Sequence, residues 1–84
     1  MKNRMYELPS YDRKSFYGKA FVIEENGIIY LKSYNTIVAK IEKGVFIRVW
    51  GGYSATTMRH VNSFLIHHGC RKISKKEWEA MEVA

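Results

Sequence analysis

The chain has 84 residues, which allows one hydrophobic core and not two, because a chain of this length buries only about 60% of its unfolded surface. Hydrophobic residues at 46% and a single proline exclude a disordered or low-complexity segment. The net charge of +6 favours an acidic partner, nucleic acid being the commonest kind, although the same charge also serves solubility.

No stretch approaches the ~18 uninterrupted apolar residues of a membrane span, and the N-terminus lacks the apolar run of a secretory signal. Cys70 is the single cysteine, so no intrachain disulfide forms. The expectation is one cytoplasmic domain over residues 1–84 with no membrane association.

Residues 1–15 are polar and mildly basic, with Tyr6, Leu8 and Tyr11 spaced around Pro9. They read as an extended arm whose aromatic side chains either cover a sheet edge or stay loose to meet a partner. Two strands follow, Lys19 to Glu25 and Ile28 to Ser33, joined by Asn26-Gly27, a pair suited to a turn in which both central residues take positive φ. Pairing Glu25 with Ile28 places Phe21, Ile23, Ile28 and Tyr30 on one face and Ala20, Val22, Ile29 and Leu31 on the other. A hairpin apolar on both sides calls for a central position, or for cover from the arm or a second subunit.

A second hairpin runs from about Thr36 to Ile41 and from Val45 to Trp50. Its expected loop is Glu42-Lys43-Gly44, with Ile41 opposite Val45. That register gives Ile37, Ala39, Ile41, Val45, Ile47 and Val49 to a helix-facing side. Thr36, Val38, Lys40, Phe46, Arg48 and Trp50 go to the other side. Basic and aromatic side chains together are what stacks bases and holds phosphates. A half-exposed sheet face with cations lying over rings, or a dimer surface, has the same composition.

Gly51-Gly52 permits a sharp reversal into a helix from Ser54 to His68. Ser54 caps its start, Tyr53 is placed to staple onto Met58, and Gly69 ends it. At 100° per residue Thr57, Met58, Val61, Phe64, Leu65 and His68 share one stripe, while Arg59, Asn62, Ser63 and Ile66 point away. Ser74-Lys75-Lys76-Glu77 is a capping box opening a short second helix, with Ile73 and Trp78 as its staple pair. Arg71, Lys72, Lys75 and Lys76 crowd that helix start, an unfavourable place for cations that an acidic partner or Glu77 and Glu79 would offset.

Little in the chain points to reaction chemistry. His60, His67, His68 and Cys70 are the ligand-rich residues, but His60 and His67 lie about 10 Å apart along a helix, too far to chelate one ion. No metal or other cofactor is expected. Ser54 or Thr57 with His60 lacks an acid to orient the imidazole, and Glu24-Glu25 sit beside a hairpin tip, so the reading is non-enzymatic. Thr56, His60 and His67 form a helix flank that packing and capping leave unassigned, the position for a pocket if there is one.

Leu31-Lys-Ser-Tyr-Asn-Thr-Ile-Val-Ala-Lys-Ile41, then Trp50-Gly-Gly-Tyr-Ser-Ala-Thr-Thr-Met-Arg-His60 with Phe64-Leu65, resembles a family of short uncharacterised proteins of Gram-positive bacteria, their phages and mobile elements. The matching positions are Tyr34, Thr36, Tyr53, Ser54, Thr56, Thr57 and His60. The resemblance implies a shared strand-to-helix unit and a mobile-element origin, and no activity.

The expected architecture is α+β: an antiparallel meander of about four strands with one helix on a face and a short C-terminal helix. The expected function is nucleic-acid binding through Lys40, Phe46, Arg48 and Trp50 with Arg71, Lys72, Lys75 and Lys76. The alternative is a protein–protein module, either a homodimer or an inhibitor of a host protein.

Overall fold

The structure is a computed structural model that describes residues 3–11 and 18–84. Its strands are β1 (Arg4–Glu7), β2 (Ala20–Glu25), β3 (Ile28–Ser33), β4 (Thr36–Glu42) and β5 (Val45–Arg48). The helices are α1 (Ala55–His67) and α2 (Lys75–Ala80). The strands form one antiparallel sheet in sequence order, so the fold is the expected α+β meander with five strands rather than four. No helix among the described residues is long and apolar enough to cross a membrane.

The extra strand comes from the arm. Arg4–Glu7 pairs with Phe21–Glu24, and Arg4 bridges to the Glu24 carboxylate at 3.2 Å. Leu8 continues the pairing through its N–H to Ala20 O and is buried, and Pro9, which has no N–H to donate, follows at the end of the ladder. Residues 1, 2 and 12–15 of the expected arm lie outside the described residues.

The first hairpin has the register its turn demands. Glu25 pairs with Ile28, and Asn26 and Gly27 take φ of 53° and 80°. Ala20, Val22 and Leu31 are fully buried on the helix side, and β3 is the central strand.

The second hairpin corrects the expected register by one residue. Glu42, not Ile41, pairs with Val45, and the loop is the two-residue Lys43-Gly44 with φ of 53° and 77°. A one-residue slip turns every side chain of β5 over. Phe46 and Arg48 therefore face the helices, while Val45 and Ile47 face away. An irregularity beside Leu31 compensates in β4: Leu31 pairs with Ala39 but Lys32 with Ile37, so Val38 is an extra residue and both Val38 and Ala39 are buried.

The inward turn of β5 makes sense in the tertiary structure. Phe46 packs against Phe64 of α1 and Trp78 of α2, with ring centroids 6.4 and 6.5 Å away. Arg48, only 6% exposed, donates from Nε to Trp50 O, from Nη1 to Trp78 O and Met81 O, and from Nη2 to Gly52 O. Its guanidinium also lies 4.6 Å from the centre of the Trp78 ring. Four hydrogen bonds from a rigid fork to carbonyls make a buried cation tolerable, and two of those carbonyls belong to the negative end of α2. Trp50 packs on the core instead of presenting a ring to solvent; its indole lies so close to Gly52 that a Cβ there would sit 2.4 Å from it.

Both helices are capped as their sequences require. Ser54 Oγ accepts from Thr57 N at 3.0 Å, and Gly69 closes α1 at φ 77°. Ser74 and Glu77 complete a capping box for α2. Trp78 is fully buried and donates Nε1–H to Gly52 O, which fixes α2 against the end of the sheet. The α1 stripe buries Thr57, Met58, Val61, Phe64 and Leu65 as expected, but also His60 and Ser63. Ser63 points into protein rather than away from it because Tyr11 N reaches its Oγ at 3.3 Å. Fully burying a residue such as Phe64 contributes roughly 2 kcal/mol.

Candidate nucleic-acid interface

The face expected to combine Lys40, Phe46, Arg48 and Trp50 is not assembled. Lys40 lies on the outer side of the sheet, paired with Glu42 at 3.1 Å, and the other three are engaged on the helix side.

The flank of Thr56, His60 and His67 also divides. Thr56 is exposed. His60 is 1% exposed, its Nδ1 2.7 Å from Ser33 Oγ and its ring 5.8 Å from that of Tyr34. Ser33 Oγ is 3.5 Å from Thr57 Oγ1, to which Ser54 Oγ donates at 2.9 Å. Ser54, Thr57, Ser33 and His60 thus form one chain of hydrogen bonds that fastens the β3–β4 turn to the start of α1. A serine hydroxyl beside an imidazole is half of a nucleophilic site, but Ser33 is 3% exposed, so no substrate atom reaches it.

His67 faces the other way, onto the N-terminal segment. Its Nε2 is 2.9 Å from the Tyr6 hydroxyl and its Nδ1 2.8 Å from the Tyr11 hydroxyl. A neutral imidazole satisfies both, accepting from one hydroxyl and donating to the other. Burial, then the neighbouring His68, lowers the His67 pKa and favours that neutral form, while burial and then Glu24 raise that of Tyr6 and keep its hydroxyl protonated. His67 and His68 rings meet edge to face at 4.9 Å, and Cys70 Sγ donates to the His68 carbonyl at 3.8 Å. Among the described residues no three His, Cys, Asp or Glu side chains converge to hold a metal ion.

Sequence reading did not anticipate the concave site that docking of the N-terminal segment creates. A groove of about 200 Å³ runs beside α1, lined by Tyr11, Tyr53, Met58, Arg59, Asn62 and Lys72, among others. Tyr11 and Tyr53 are 45% and 39% exposed, enough to offer ring surface to a ligand. Lys75 Nζ lies 4.6 Å from the centre of the Tyr53 ring. Asn62 Oδ1 accepts from Ile73 N at 2.9 Å, which fixes the amide and holds the segment carrying Lys72. The sequence signal was present, two tyrosines and a cluster of cations, but residues 42 positions apart come to line one groove only through the fold.

The basic cluster itself is partly consumed. Arg71 pairs with Glu77 at 2.8 Å; that hydrogen bond raises the arginine pKa and, with the Ser74 backbone, lowers that of Glu77. Lys72, Lys75 and Lys76 are exposed and make no ion pair among the described residues. Of the eight residues expected to meet nucleic acid, Lys72 is thus the one that lines this groove, and Lys75 lies behind it over the Tyr53 ring.

A family of unknown function (DUF8033) matches residues 6–80, and the chain belongs to that family. No curated protein and no solved structure matches the chain.

Proposed function

We propose that this DUF8033 member is a small non-enzymatic nucleic-acid-binding accessory protein of a phage or mobile element, making contact through the groove beside α1 and the lysines at the start of α2. The observation that carries this reading is the juxtaposition of Tyr11, Tyr53 and Lys72 in the lining of one concavity, with Lys75 over the Tyr53 ring. The net charge of +6 supports it, since phosphate neutralisation supplies most of the sequence-independent affinity. The mobile-element origin rests on the resemblance carried by Ser33-Tyr34 to Ala39 and by Tyr53 to His60. Binding of labelled DNA and RNA, followed by fluorescence anisotropy from about 50 to 200 mM salt, tests the function. Affinity is expected to fall steeply with salt and to weaken for Lys72→Glu. Absent or salt-insensitive binding sinks the reading.

The second reading, a protein–protein module, is favoured by the outer face of the sheet. Met5 and Val45 are 53% and 58% exposed there, and Phe21, Ile23, Tyr30, Ile37 and Ile47 are half-buried around them. The register places Lys32 at one end of this face and Glu25 and Glu42 at the other. The occupant that matches this arrangement is a second copy turned end for end, which sets each lysine against the opposing carboxylates. Light scattering across a concentration series is expected to show a dimer that Ile23→Lys abolishes; a monomer at all concentrations removes this reading.

A further inference from the structure

We infer that the groove beside α1 takes a single unpaired nucleotide of a single strand, rather than the surface of a duplex. The inference rests on the nucleic-acid reading above and goes beyond it in naming the strand state. It starts from the geometry of Tyr53. Lys75 covers one face of that ring, 4.6 Å from its centre, yet Lys75 does not line the groove whereas Tyr53 does. The ring surface left to the groove is therefore a stacking platform backed by a cation, and Tyr11 provides a second ring in the lining.

Tyr11 is held in place. Its backbone N–H reaches Ser63 Oγ and its hydroxyl shares a hydrogen bond with His67 Nδ1, so this side of the groove is formed before any ligand arrives. On the α1 side the fixed Asn62 amide has its oxygen occupied by Ile73 N–H, and an amide so engaged presents its NH2 donor elsewhere. With Lys72 at the rim, the groove offers ring faces, an amide donor and an ammonium. These suit the π face, the carbonyl oxygens and the phosphate of one nucleotide.

A duplex cannot use these groups together. Its bases are stacked on one another and expose only their edges, so a pocket lined with ring faces gains nothing from them unless a base is unstacked. A volume of about 200 Å³ between α1 and the N-terminal segment is a concavity for one side group of a strand and far too small for a helix.

The test measures anisotropy of a labelled oligothymidylate and of a duplex of the same length with the full chain, at one salt concentration and along a salt series. The expected result is tighter binding of the single strand. Tyr53→Ala should weaken it about tenfold while Tyr53→Phe retains it, as stacking requires. Lys72→Glu should reduce the salt slope by about one for either substrate. Circular dichroism melts of the variants confirm an intact fold, which the exposure of Tyr53 and Lys72 permits. Equal affinity for duplex and single strand, or single-strand binding indifferent to Tyr53→Ala, overturns this inference and leaves the nucleic-acid reading standing. Binding of neither substrate overturns both. Thymidine monophosphate that competes fully at the oligonucleotide's own concentration range reassigns the groove to free nucleotides and overturns the strand.

Discussion

Besides backbone pairing and packing, each end of the described chain is fastened by a hydrogen-bonding side chain of the core, and the two ties are built from different chemistry. At the C-terminal end Arg48, buried and charged, gathers carbonyls from Trp50, Gly52, Trp78 and Met81 and stacks on Trp78. The backbone reinforces it, since Ala84 N donates to Arg48 O and Val83 bridges to β5. At the N-terminal end His67, half-buried and titratable, holds Tyr6 and Tyr11 by their hydroxyls. Cutting the first tie takes the side-chain donor from Trp50 O and Met81 O inside the protein; cutting the second exposes hydroxyls that water can reach. A guanidinium keeps its charge at every pH at which proteins are ordinarily studied, whereas an imidazole does not. The difference predicts that the α2 end unfolds only with the whole molecule and that the N-terminal segment, with the groove it completes, is released first and in acid.

The sharpest way to break this contrast is Arg48→Met. Gly52 O and Trp78 O keep other donors, but Trp50 O and Met81 O lose theirs, and at about 1–3 kcal/mol each this should lower stability by about 2 kcal/mol and the thermal midpoint by on the order of 10 °C. A loss below about 1 kcal/mol would mean that water replaces the guanidinium and that the tie is not what holds α2.

His67→Ala should cost less, about 1 kcal/mol for its two hydrogen bonds. The loss is expected to be local: faster amide hydrogen exchange at Tyr6, Leu8 and Tyr11, with Leu31 and Phe64 unchanged. Uniform acceleration across the sheet would show that the N-terminal segment is not an independent unit.

Acid supplies a third comparison. The folded pKa of His67 lies below its unfolded value, so between the two the unfolded chain binds more protons and stability rises with pH. This contribution is fully present above the ordinary histidine range near 6.5 and declines as pH falls from there toward the folded pKa. Urea titrations from about pH 7.5 to 5 should show a loss that His67→Asn partly removes, and the exposure of the ring keeps it modest. An unchanged pH profile in the variant would assign acid sensitivity elsewhere.

The smallest effect is expected from Glu77→Gln, which removes the Arg71 ion pair and loosens the α2 capping box. Because Arg48 and Trp78 hold the helix from its buried side, the thermal midpoint should barely move. The part contributed by the carboxylate, whose pKa is lowered by Arg71, should vanish as pH falls through the carboxylate range. A large drop at neutral pH would shift the weight of the C-terminal tie from Arg48 to the capping box.

Chemistry local in the chain was legible before the fold was known. Asn26-Gly27 dictates two positive φ values and with them the register of β2 against β3. Ser54, Gly69 and the Ser74/Glu77 pair place both helices to within a residue, because a cap is satisfied by atoms only a few positions away. The site was less legible. Lys72 was among the residues expected to meet a ligand, but the groove it lines needs Tyr11, which His67 and Ser63 hold in the N-terminal segment.

Tertiary structure alone decided the second hairpin. Both registers there alternate acceptably, and the β-branched set Val45, Ile47 and Val49 looks the better inward face by composition. Phe46 and Arg48 point inward instead because their partners lie far along the chain: Phe64 and Trp78 for the ring, and the carbonyls of Trp78 and Met81 for the guanidinium. Local pattern sets which residues alternate; which of two alternating sets is buried depends on distant groups that satisfy its polar atoms.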